Sequence, residues 1–433
     1  MPRFGSSGIR GLANVEVTPD LTLAVGKAVG ELYGAAIVGR DSRTTGAMLV
    51  SALAAGLMSA GADAVDAGVV STPTLARGAA EYGCGVVVTA SHNPAPYNGL
   101  KLWNPDGTAF DESQQKEIEA ALDGGRFRAV SWDRTGTLSS REDLVDRHVE
   151  SILRDVGSAA IRVVVDCGCG ATATITPRML REMGCEVIAL NAHLDGHFPG
   201  RDPEPTETNL AFLKSTVRAV KADLGIAHDG DGDRMVAVDR EGAFVGGDLL
   251  LPLFAKAVGA QSVVVPVDAS MALQDFLPKV RIWRTRVGDV YVAQELKRRG
   301  ADFGGEPSGT WIFPRATWCP DGVYAAARLV TMVAKRPLGE LVSEIPRYPI
   351  VRGAVTFEAA RRSGIEAKLE TALRGIRSDL ETLDGWRLSF DGGWGLVRFS
   401  GTEPKLRIMA EARDEGAAKE IYAQLLSTVQ GAL

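Results

Sequence analysis

The chain repeats one pattern of strands and helices three times, and this repeat is the strongest constraint on its fold. Each repeat has an apolar β-branched run, a helical stretch, a second apolar run, another helix and a third strand-like segment. The opening runs are 36–39, 163–166 and 263–267, the second runs are 64–67, 186–190 and 281–283, and the third runs are 86–89, 224–227 and 301–303. Strands that alternate with helices predict a parallel sheet that helices cover on both faces.

The part of the chain after residue 351 breaks this pattern. It has a helical stretch at 365–376, strand-like segments at 386–390 and 395–399, and a final helix that begins at Ala417. Because a single hydrophobic core stops growing near about 250–300 residues, a chain of 433 residues requires more than one domain. We therefore predict three similar α/β domains and a smaller C-terminal α+β domain. Their predicted ranges are 1–154, 155–245, 246–351 and 352–433.

The composition is that of an ordinary globular protein with a small-molecule partner. A formal net charge of -6 lacks the basic excess of a nucleic-acid binder, and a hydrophobic fraction of 45% excludes a disordered chain. No stretch approaches the run of about 18 apolar residues that a membrane helix needs, and the first residues contain no apolar signal core. We expect a cytoplasmic protein without nucleic-acid or membrane partners.

The cysteines indicate reduced thiols and no disulfide framework. They are odd in number and scattered along the chain, at Cys84, Cys167, Cys169, Cys185 and Cys319. A metal or redox role of the pair Cys167 and Cys169 stays open, but a second pair of cysteine ligands is missing.

The segments that follow the third run of each repeat contain the most chemically functional side chains. They read TASHNP at 89–94, HDGDGDR at 228–234 and GGEPSG at 304–309. Ligands of open α/β sheets bind outside the carboxyl ends of the strands, which is where these segments are expected. In the last domain, the predicted loop RFSGTEPKLR at 398–407 combines hydroxyls, a glycine and two arginines, and such a loop suits a phosphate group.

HDGDGDR places Asp229, Asp231 and Asp233 at every second position, and the glycines between them let the three carboxylates converge. Converging carboxylates repel one another, so the loop needs either a divalent cation or full solvent exposure as an acidic turn. An EF-hand calcium loop is excluded, because Arg234 stands where glycine is required and Arg240 where the bidentate glutamate belongs. Mg²⁺ fits better, since it takes few protein ligands and completes its shell with phosphate oxygens and water.

Ser91 is the candidate carrier of that phosphate. It follows an apolar strand and precedes His92, Asn93 and Pro94, which predicts a stiff, exposed turn with a hydroxyl at its tip. The sequence contains neither a G-x-S-x-G elbow nor a P-loop motif. A G-x-G-x-x-A motif at 168–173 would indicate a dinucleotide site, but the next strand ends at Asn191 and not at an acidic residue for the ribose.

Taken in order, the motifs resemble the α-D-phosphohexomutase family, whose members interconvert 1-phospho and 6-phospho sugars through a bisphosphorylated intermediate. The resemblance spans nearly the whole chain. The motifs are FGSSGIRG at 4–11, GRDSR at 39–43, TASHNP at 89–94, NGLK at 98–101, DGHFPG at 195–200, DGDGDR at 229–234, TRVGD at 285–289, GGEPSG at 304–309 and RFSGTEP at 398–404. The resemblance implies an isomerase whose domains, with mixed, mainly parallel sheets, surround a central cleft. It also implies Mg²⁺ as cofactor and a sugar bisphosphate as activator and intermediate.

The resemblance implies a role for each matching residue. It makes Ser91 the phosphoserine, whose phosphate is the fourth ligand of an Mg²⁺ ion held by three aspartates. Those aspartates are Asp229, Asp231 and Asp233. The residues implied in binding the sugar and its phosphate groups are Arg234, Glu306, Ser308, Arg398, Ser400, Gly401, Thr402 and Arg407.

Two positions depart from the family pattern. Thr310 stands where many relatives have histidine, and Val290 stands where many have lysine or arginine. Two cationic groups are therefore missing from this chain. We hypothesise that Lys101, assisted by His92 or Arg10, moves the proton at the sugar hydroxyl.

GEPSG together with TRVGDV is most similar to the phosphoglucosamine mutases, so the predicted reaction converts glucosamine 6-phosphate to glucosamine 1-phosphate. Glucose and mannose phosphates are the main alternative substrates. A metal-dependent sugar phosphatase would release inorganic phosphate instead, and a non-catalytic binding protein would not need Ser91 and three carboxylates together. We expect a phosphosugar as partner and a monomer or homodimer.

Overall fold

The computed structural model describes residues 4–5, 8–125, 127, 129–376, 380–400 and 404–433. Across these residues the strands form four sheets, which follow one another along the chain. Three sheets are mixed and the fourth is antiparallel, which confirms three α/β domains and a smaller C-terminal α+β domain. In the same described residues no helix is long and apolar enough to cross a membrane. The four domain ranges remain predictions.

The first unit, from β1 to α5, contains the largest sheet. Its strands are β1 (Phe4–Gly5), β2 (Gly8–Leu12), β3 (Ala36–Arg40), β4 (Ala64–Val69), β5 (Cys84–Val88), β6 (Tyr97–Trp103) and β7 (Leu138–Ser140). Its helices are α1 (Pro19–Tyr33), α2 (Gly46–Ser59), α3 (Thr72–Gly78), α4 (Glu112–Gly124) and α5 (Leu144–Val156). The strand order is β1-β2-β6-β5-β3-β4-β7, in which β5, β3, β4 and β7 are parallel.

The second unit runs from β8 to β12 and the third from α8 to α12. The second contains β8 (Arg162–Asp166), α6 (Thr176–Glu182), β9 (Glu186–Leu190), α7 (Ala211–Ala219), β10 (Leu224–His228), β11 (Met235–Asp239) and β12 (Phe244–Val245). The third contains α8 (Gly247–Ala257), β13 (Ser262–Pro266), α9 (Ala272–Phe276), β14 (Arg281–Thr285), α10 (Asp289–Arg299), β15 (Phe303–Gly305), β16 (Trp311–Ile312), α11 (Gly322–Val333) and α12 (Leu338–Ser343). The strand orders are β12-β11-β10-β8-β9 and β14-β13-β15-β16.

The three mixed sheets share one topology. The first parallel strand of each repeat (β3, β8, β13) lies between the second (β4, β9, β14) and the third (β5, β10, β15). After the third strand the chain turns back into an antiparallel strand (β6, β11, β16). The repeat pattern predicted only the parallel strands. The strand that follows each third strand is antiparallel because the connection to it is short, and short connections join antiparallel neighbours. The three functional segments therefore occupy equivalent positions, each after a third strand.

The strands that lead to these segments are buried. All five residues of β5 and all five of β10 are buried, as expected for near-continuous apolar strands with helices on both faces. The third strand of the third repeat was predicted at 301–303 but begins at Phe303. Asp302 comes directly before it, and its carboxylate accepts hydrogen bonds from the backbone N–H groups of Gln261 and Ser262, at 2.9 and 3.0 Å.

The hydrophobic core of the second and third units is continuous. It joins Val163 and Ile226 of the second unit to Phe254 and Trp311 of the third. The rings of Phe254 and Trp311 lie 5.2 Å apart at their centroids, a separation that is favourable for aromatic pairs. This shared core fixes the segments at the ends of β10 and β15 relative to each other.

The fourth unit, from β17 to α14, is a four-stranded antiparallel sheet with two helices. It contains β17 (Ile350–Thr356), α13 (Arg362–Ile376), β18 (Trp386–Phe390), β19 (Gly393–Phe399), β20 (Lys405–Ala412) and α14 (Glu415–Ala432), with strand order β17-β20-β19-β18. The predicted loop at 398–407 is shorter in the structure. Arg398 belongs to β19 and Arg407 to β20, because the two strands stay paired up to Phe399 and Leu406.

Candidate active site

Ser91 lies in the serine loop, which we define as residues 89–97. The residue is 1% exposed and has a positive φ of 52°, an uncommon conformation for a residue other than glycine. Its backbone N–H donates to Thr89 Oγ1 at 2.8 Å, and its Oγ donates to Asp229 Oδ2 at 2.8 Å. The prediction of an exposed hydroxyl was therefore wrong, because Asp229 of the second unit lies over Ser91, whereas Pro94 in the same turn is exposed.

Arg43 holds the serine loop in place. Its guanidinium donates to four backbone carbonyl oxygens at 2.6–2.9 Å, those of Ser91, Asn93, Pro94 and Tyr97. Its Nε is 3.0 Å from Asp41 Oδ2, and the side chains of both residues are buried. The motif GRDSR contains Arg43, but the motif alone predicts no role for it, because its four carbonyl partners are 48–54 residues away.

Replacement of Arg43 by methionine is expected to loosen the serine loop. The variant leaves four carbonyls and the buried Asp41 carboxylate without their partner, and breaking a buried ion pair costs about 3–5 kcal/mol. Backbone hydrogen exchange should therefore rise at 89–98 and stay unchanged in β18 and β19. Arg147→Met is the control, because Arg147 pairs with Glu81 at the surface. Equal protection of 89–98 in variant and wild type would contradict the assignment.

The aspartate loop (residues 228–234) brings its three carboxylates together. One oxygen of each of Asp229, Asp231 and Asp233 lies within 4.8 Å of the others, and all three residues are buried. Among the residues that the structure describes, Asp231 Oδ1 and Asp233 Oδ1 have no hydrogen-bond partner. Burial excludes a solvated acidic turn, and this set of hard oxygen ligands fits a divalent cation such as Mg²⁺.

Lys101, from β6, supplies positive charge to the aspartates. Its Nζ is 2.7 Å from Asp231 Oδ2 and 2.6 Å from Asp233 Oδ2. Burial opposes the charge of the ammonium group, but the two carboxylates outweigh burial and raise the pKa of Lys101. Burial, followed by the charges of Asp233 and Asp231, raises the pKa of Asp229 well above its ordinary value. One lysine therefore does not compensate three buried carboxylates.

His92 and Arg10 lie beside Ser91. His92 Nδ1 is 3.3 Å from Ser91 Oγ. The charge of Arg234, then burial, then the charges of Arg10 and Lys101 lower the pKa of His92, so its imidazole is neutral. Arg10 Nη1 donates to a side-chain oxygen of the serine loop at 3.4 Å. The structure thus brings the four residues predicted to act at the transfer point to one place.

Two further segments support the aspartate loop. Thr72, at the start of α3, donates through Oγ1 to Asp231 Oδ2 at 2.7 Å and through its backbone N–H to the Asp231 carbonyl at 2.8 Å. Gly170 packs so closely on Gly230 that a Cβ would lie 2.5 Å from the carbonyl oxygen, which explains a glycine of the G-x-G-x-x-A motif. Thr72 could not be found from the sequence, because nothing local connects two residues 159 positions apart.

Glu306 is the central side chain of the glutamate loop (residues 304–310). Its Oε1 accepts a hydrogen bond from the Gly288 N–H at 2.7 Å, and its Oε2 accepts from Thr310 Oγ1 at 3.1 Å and Ser308 Oγ at 3.4 Å. Thr310, at the position where the family pattern has a histidine, therefore orients the carboxylate of Glu306. Val290 is 3% exposed, so this second departure is a buried apolar residue.

Arg234 connects the aspartate loop to the glutamate loop. Its backbone forms a bridge with Thr310. Its Nη1 is 3.4 Å from Glu204 Oε1, whereas its buried Nε has no hydrogen-bond partner within the described part of the chain. A guanidinium with a free donor at this position is suited to an anionic ligand.

Glu306 is expected to make the stability of the protein fall as the pH rises from 5 to 8. Burial, followed by the charges of Asp289 and Asp268, raises the pKa of Glu306 from 4.5 to about 7. Between these values the folded state keeps a proton that the unfolded state has released, so the free energy of unfolding decreases with pH and levels off above about 7. The difference corresponds to about 3 kcal/mol.

Urea denaturation of wild type and Glu306→Gln at pH 5 and pH 8 measures this effect. The variant has no titrating group at this position, so it should lose that part of the pH dependence. Glu366→Gln, at an exposed position of α13, should behave as wild type. A pH dependence that is the same in Glu306→Gln and wild type would show that Glu306 titrates at its ordinary pKa.

Arg398 and Arg407 are cross-strand partners in the β19–β20 pair. Like charges directly opposite each other destabilise a sheet, so this pair suits a bound anion. Ser400, which follows β19, is 5% exposed. Gly401 and Thr402, which were also predicted to bind phosphate, lie outside the described residues.

Asp384 links these arginines to the glutamate loop. Its Oδ2 is 3.6 Å from Arg398 Nη1 and accepts a hydrogen bond from the Val287 N–H at 3.0 Å. The next residue, Gly288, donates to Glu306 through its own N–H. Direct contacts of side chains or backbone therefore connect all four units at one site.

Four family models match successive parts of the chain. They describe the alpha/beta/alpha domains I, II and III and the C-terminal domain of phosphoglucomutase/phosphomannomutase, at residues 1–129, 145–242, 246–348 and 358–427. A protein of Methanocella arvoryzae named "Probable phosphoglucosamine mutase" is 50% identical over 431 residues, covering 99% of this chain and 98% of the relative. A protein of Methanosarcina acetivorans with the same name is 51% identical over 436 residues, covering 100% of both.

A solved structure supports the same relationship. The crystal structure of a phosphoglucomutase/phosphomannomutase family protein from Burkholderia thailandensis matches with a TM-score of 0.89 and 28% identity, covering 99% of this chain and 96% of that chain. The order of the motifs, the four sheets and the family models all agree. The chain belongs to the phosphoglucomutase/phosphomannomutase family.

Proposed function

We propose that the chain is a phosphoglucosamine mutase, which interconverts glucosamine 6-phosphate and glucosamine 1-phosphate through a phosphoserine at Ser91 and a sugar bisphosphate. The observation that supports this most strongly is the hydrogen bond of 2.8 Å between Ser91 Oγ and Asp229 Oδ2, inside a buried group of three carboxylates. A structural serine has no need for such surroundings. The names of relatives at about half identity over the full length support glucosamine as the sugar.

We propose Mg²⁺ as the cofactor, held by Asp229, Asp231, Asp233 and an oxygen of the Ser91 phosphate. When bound, Mg²⁺ would neutralise the phosphoryl oxygens and align them for transfer. The protein supports the site through Thr72, which fixes one carboxylate of the set.

In the transfer step, Lys101 both gives a proton and takes one up, so no proton is gained or lost overall. The sugar hydroxyl oxygen forms a bond to the phosphorus of the phosphoserine, and the bond between phosphorus and Ser91 Oγ breaks. The ammonium of Lys101 gives a proton to the departing Oγ, and the resulting amine takes up the proton of the sugar hydroxyl. The neutral imidazole of His92, 3.3 Å from Ser91 Oγ, and the guanidinium of Arg10 assist.

The remaining residues orient the sugar. The phosphate group that is not being transferred is held by Arg398, Ser400, Gly401, Thr402 and Arg407, and Arg234 faces either the sugar phosphate or the phosphate at Ser91. Glu306 and Ser308 bind ring hydroxyls. One chain supplies all of these groups, so a monomer has a complete site. We propose a cytoplasmic enzyme that works as a monomer or homodimer.

A panel of sugar phosphates tests the function. Glucosamine, glucose and mannose 6-phosphates are incubated with Mg²⁺ and a trace of the sugar bisphosphate, and both 1-phosphate and free phosphate are followed. Glucosamine 6-phosphate should give its 1-phosphate fastest, with little free phosphate. Dominant release of free phosphate would show a phosphatase, and faster conversion of glucose or mannose phosphate would change the assigned sugar.

A further inference from the structure

This inference rests on the proposed function. In that function one serine exchanges a phosphoryl group with both ends of the sugar, so the sugar has to bind in two orientations. When O1 of the sugar faces Ser91, the C2 substituent lies on the side of the transfer point. When O6 faces Ser91, the same substituent lies on the side of the bound phosphate. In glucosamine this substituent is an amine, which is largely protonated near neutral pH. A cation that changes sides in this way needs a negatively charged group at both places.

Asp289 is a carboxylate on the transfer side. It is the first residue of α10, directly after Gly288, and is 8% exposed. The charged groups that act most strongly on it are Lys101, Asp233 and Arg10. Within the described residues no side chain donates a hydrogen bond to its carboxylate. Its position at a helix N-terminus favours an acidic residue, and Gly288, directly before it, donates to Glu306 Oε1 at 2.7 Å, which places Asp289 beside the glutamate loop.

Asp268 is a carboxylate on the other side. It follows β13, and its Oδ1 is buried with no hydrogen-bond partner among the residues described. The charged groups that act most strongly on it are Arg398, which belongs to the proposed phosphate site, and Asp248. Buried carboxylate oxygens of proteins are almost always hydrogen-bonded, so Asp268 Oδ1 is an acceptor that is available to a donor.

Glu306 lies near both aspartates. Asp289 and Asp268 are the two charges that act most strongly on it. Its own hydrogen bonds come from a backbone N–H and two hydroxyls, so no cationic side chain in the described structure donates to it. Glu306 is therefore within electrostatic reach of both aspartates.

We propose that Asp289 and Asp268 determine specificity for glucosamine phosphates, with Asp289 binding the C2 ammonium when O1 faces Ser91 and Asp268 binding it when O6 does. Glu306, which lies near both, binds the ring hydroxyls in both orientations. Glucose phosphates place a hydroxyl at C2 and gain less from either aspartate, because a neutral hydroxyl lacks the Coulomb attraction that an ammonium group adds to its hydrogen bond with a carboxylate.

The test compares Asp289→Asn and Asp268→Asn with wild type on glucosamine and glucose phosphates. Each variant should lower kcat/KM for the glucosamine phosphates about tenfold or more, the loss expected for one charge-assisted hydrogen bond, and change the value for glucose phosphates much less. Asp289→Asn should mainly raise KM for glucosamine 6-phosphate, and Asp268→Asn should mainly raise KM for glucosamine 1-phosphate. Glu295→Gln, on the outer part of α10 and paired with Arg298, is the matched control.

The outcomes separate the specificity role from the proposed function. If wild type does not interconvert glucosamine phosphates, the proposed function fails. If wild type does so but both variants keep its ratio of glucosamine to glucose activity, or lose both activities equally, the specificity role is wrong. Asp289→Ser and Asp268→Ser are used in place of any asparagine variant that does not fold. The ratio of glucosamine to glucose activity is then measured for the serine variant and tests the specificity role in the same way.

Discussion

Replacement of Ser91 by alanine is expected to abolish mutase turnover while leaving the fold intact. The alanine lacks the oxygen that carries the phosphoryl group, and loss of a covalent nucleophile lowers kcat by about 10⁴-fold or more. The site loses only the hydrogen bond from Oγ to Asp229 and the contact of 3.3 Å between Oγ and His92 Nδ1, so the thermal unfolding temperature should change little. Initial rates with glucosamine 6-phosphate and intact-protein mass spectra measure the two effects.

The mass spectrum makes this prediction independent of the assay. Wild type incubated with the sugar bisphosphate should carry one phosphate, which peptide mapping should place on Ser91, and Ser91→Ala should carry none. Ser51→Ala, which removes an exposed hydroxyl of α2, should retain both turnover and phosphate. A phosphate at any other residue, or turnover of Ser91→Ala within tenfold of wild type, would overturn the phosphoserine assignment.

Replacement of Lys101 by methionine is expected to lower turnover about 10²- to 10⁴-fold, the range of general acid–base catalysis. The variant also removes the cation that Asp231 and Asp233 share, so the metal-free protein should be less stable by about 3–5 kcal/mol. Added Mg²⁺ should then raise the thermal unfolding temperature of Lys101→Met more than that of wild type, because the ion compensates the same carboxylates. Differential scanning fluorimetry with increasing Mg²⁺ measures this difference.

Lys214→Met is the control, since Lys214 pairs with Glu207 away from the site. Near-normal turnover of Lys101→Met would remove Lys101 from proton transfer. If Mg²⁺ stabilises Lys101→Met no more than it stabilises wild type, then Lys101 and Mg²⁺ do not compensate the same carboxylates, whatever the turnover.

The site could be predicted from the sequence to the extent that its groups are close along the chain. Asp229, Asp231 and Asp233 lie in one loop between two strands, so their convergence depends only on local geometry and on the small glycines between them. The exposure of Ser91 was predicted wrongly for the opposite reason. Burial of a loop depends on what packs over it, and that neighbour comes from another unit of the chain.

The fold, too, could be predicted where its pattern is local to the chain. Periodic apolar runs predicted the three repeats and the separate last domain, because the spacing of apolar residues within a strand or helix indicates which of its faces is buried. The antiparallel strands β6, β11 and β16 were missed, since each follows a functional segment and lies outside the alternation of strands and helices that defined the repeat. The paired ends of β19 and β20 were predicted as loop for a similar reason, because Arg398 and Arg407 became strand residues only through pairing.

By itself, then, the sequence determined the family, the repeated units and the three aspartates. Only the tertiary structure decided that Arg43 holds the Ser91 loop, that Thr72 fixes Asp231 and that Lys101 pairs with Asp231 and Asp233. These contacts join residues 48, 159, 130 and 132 positions apart. Hydrogen bonds and ion pairs act over a few ångströms, so they depend on how the separate units pack, and no local pattern in the chain specifies that packing.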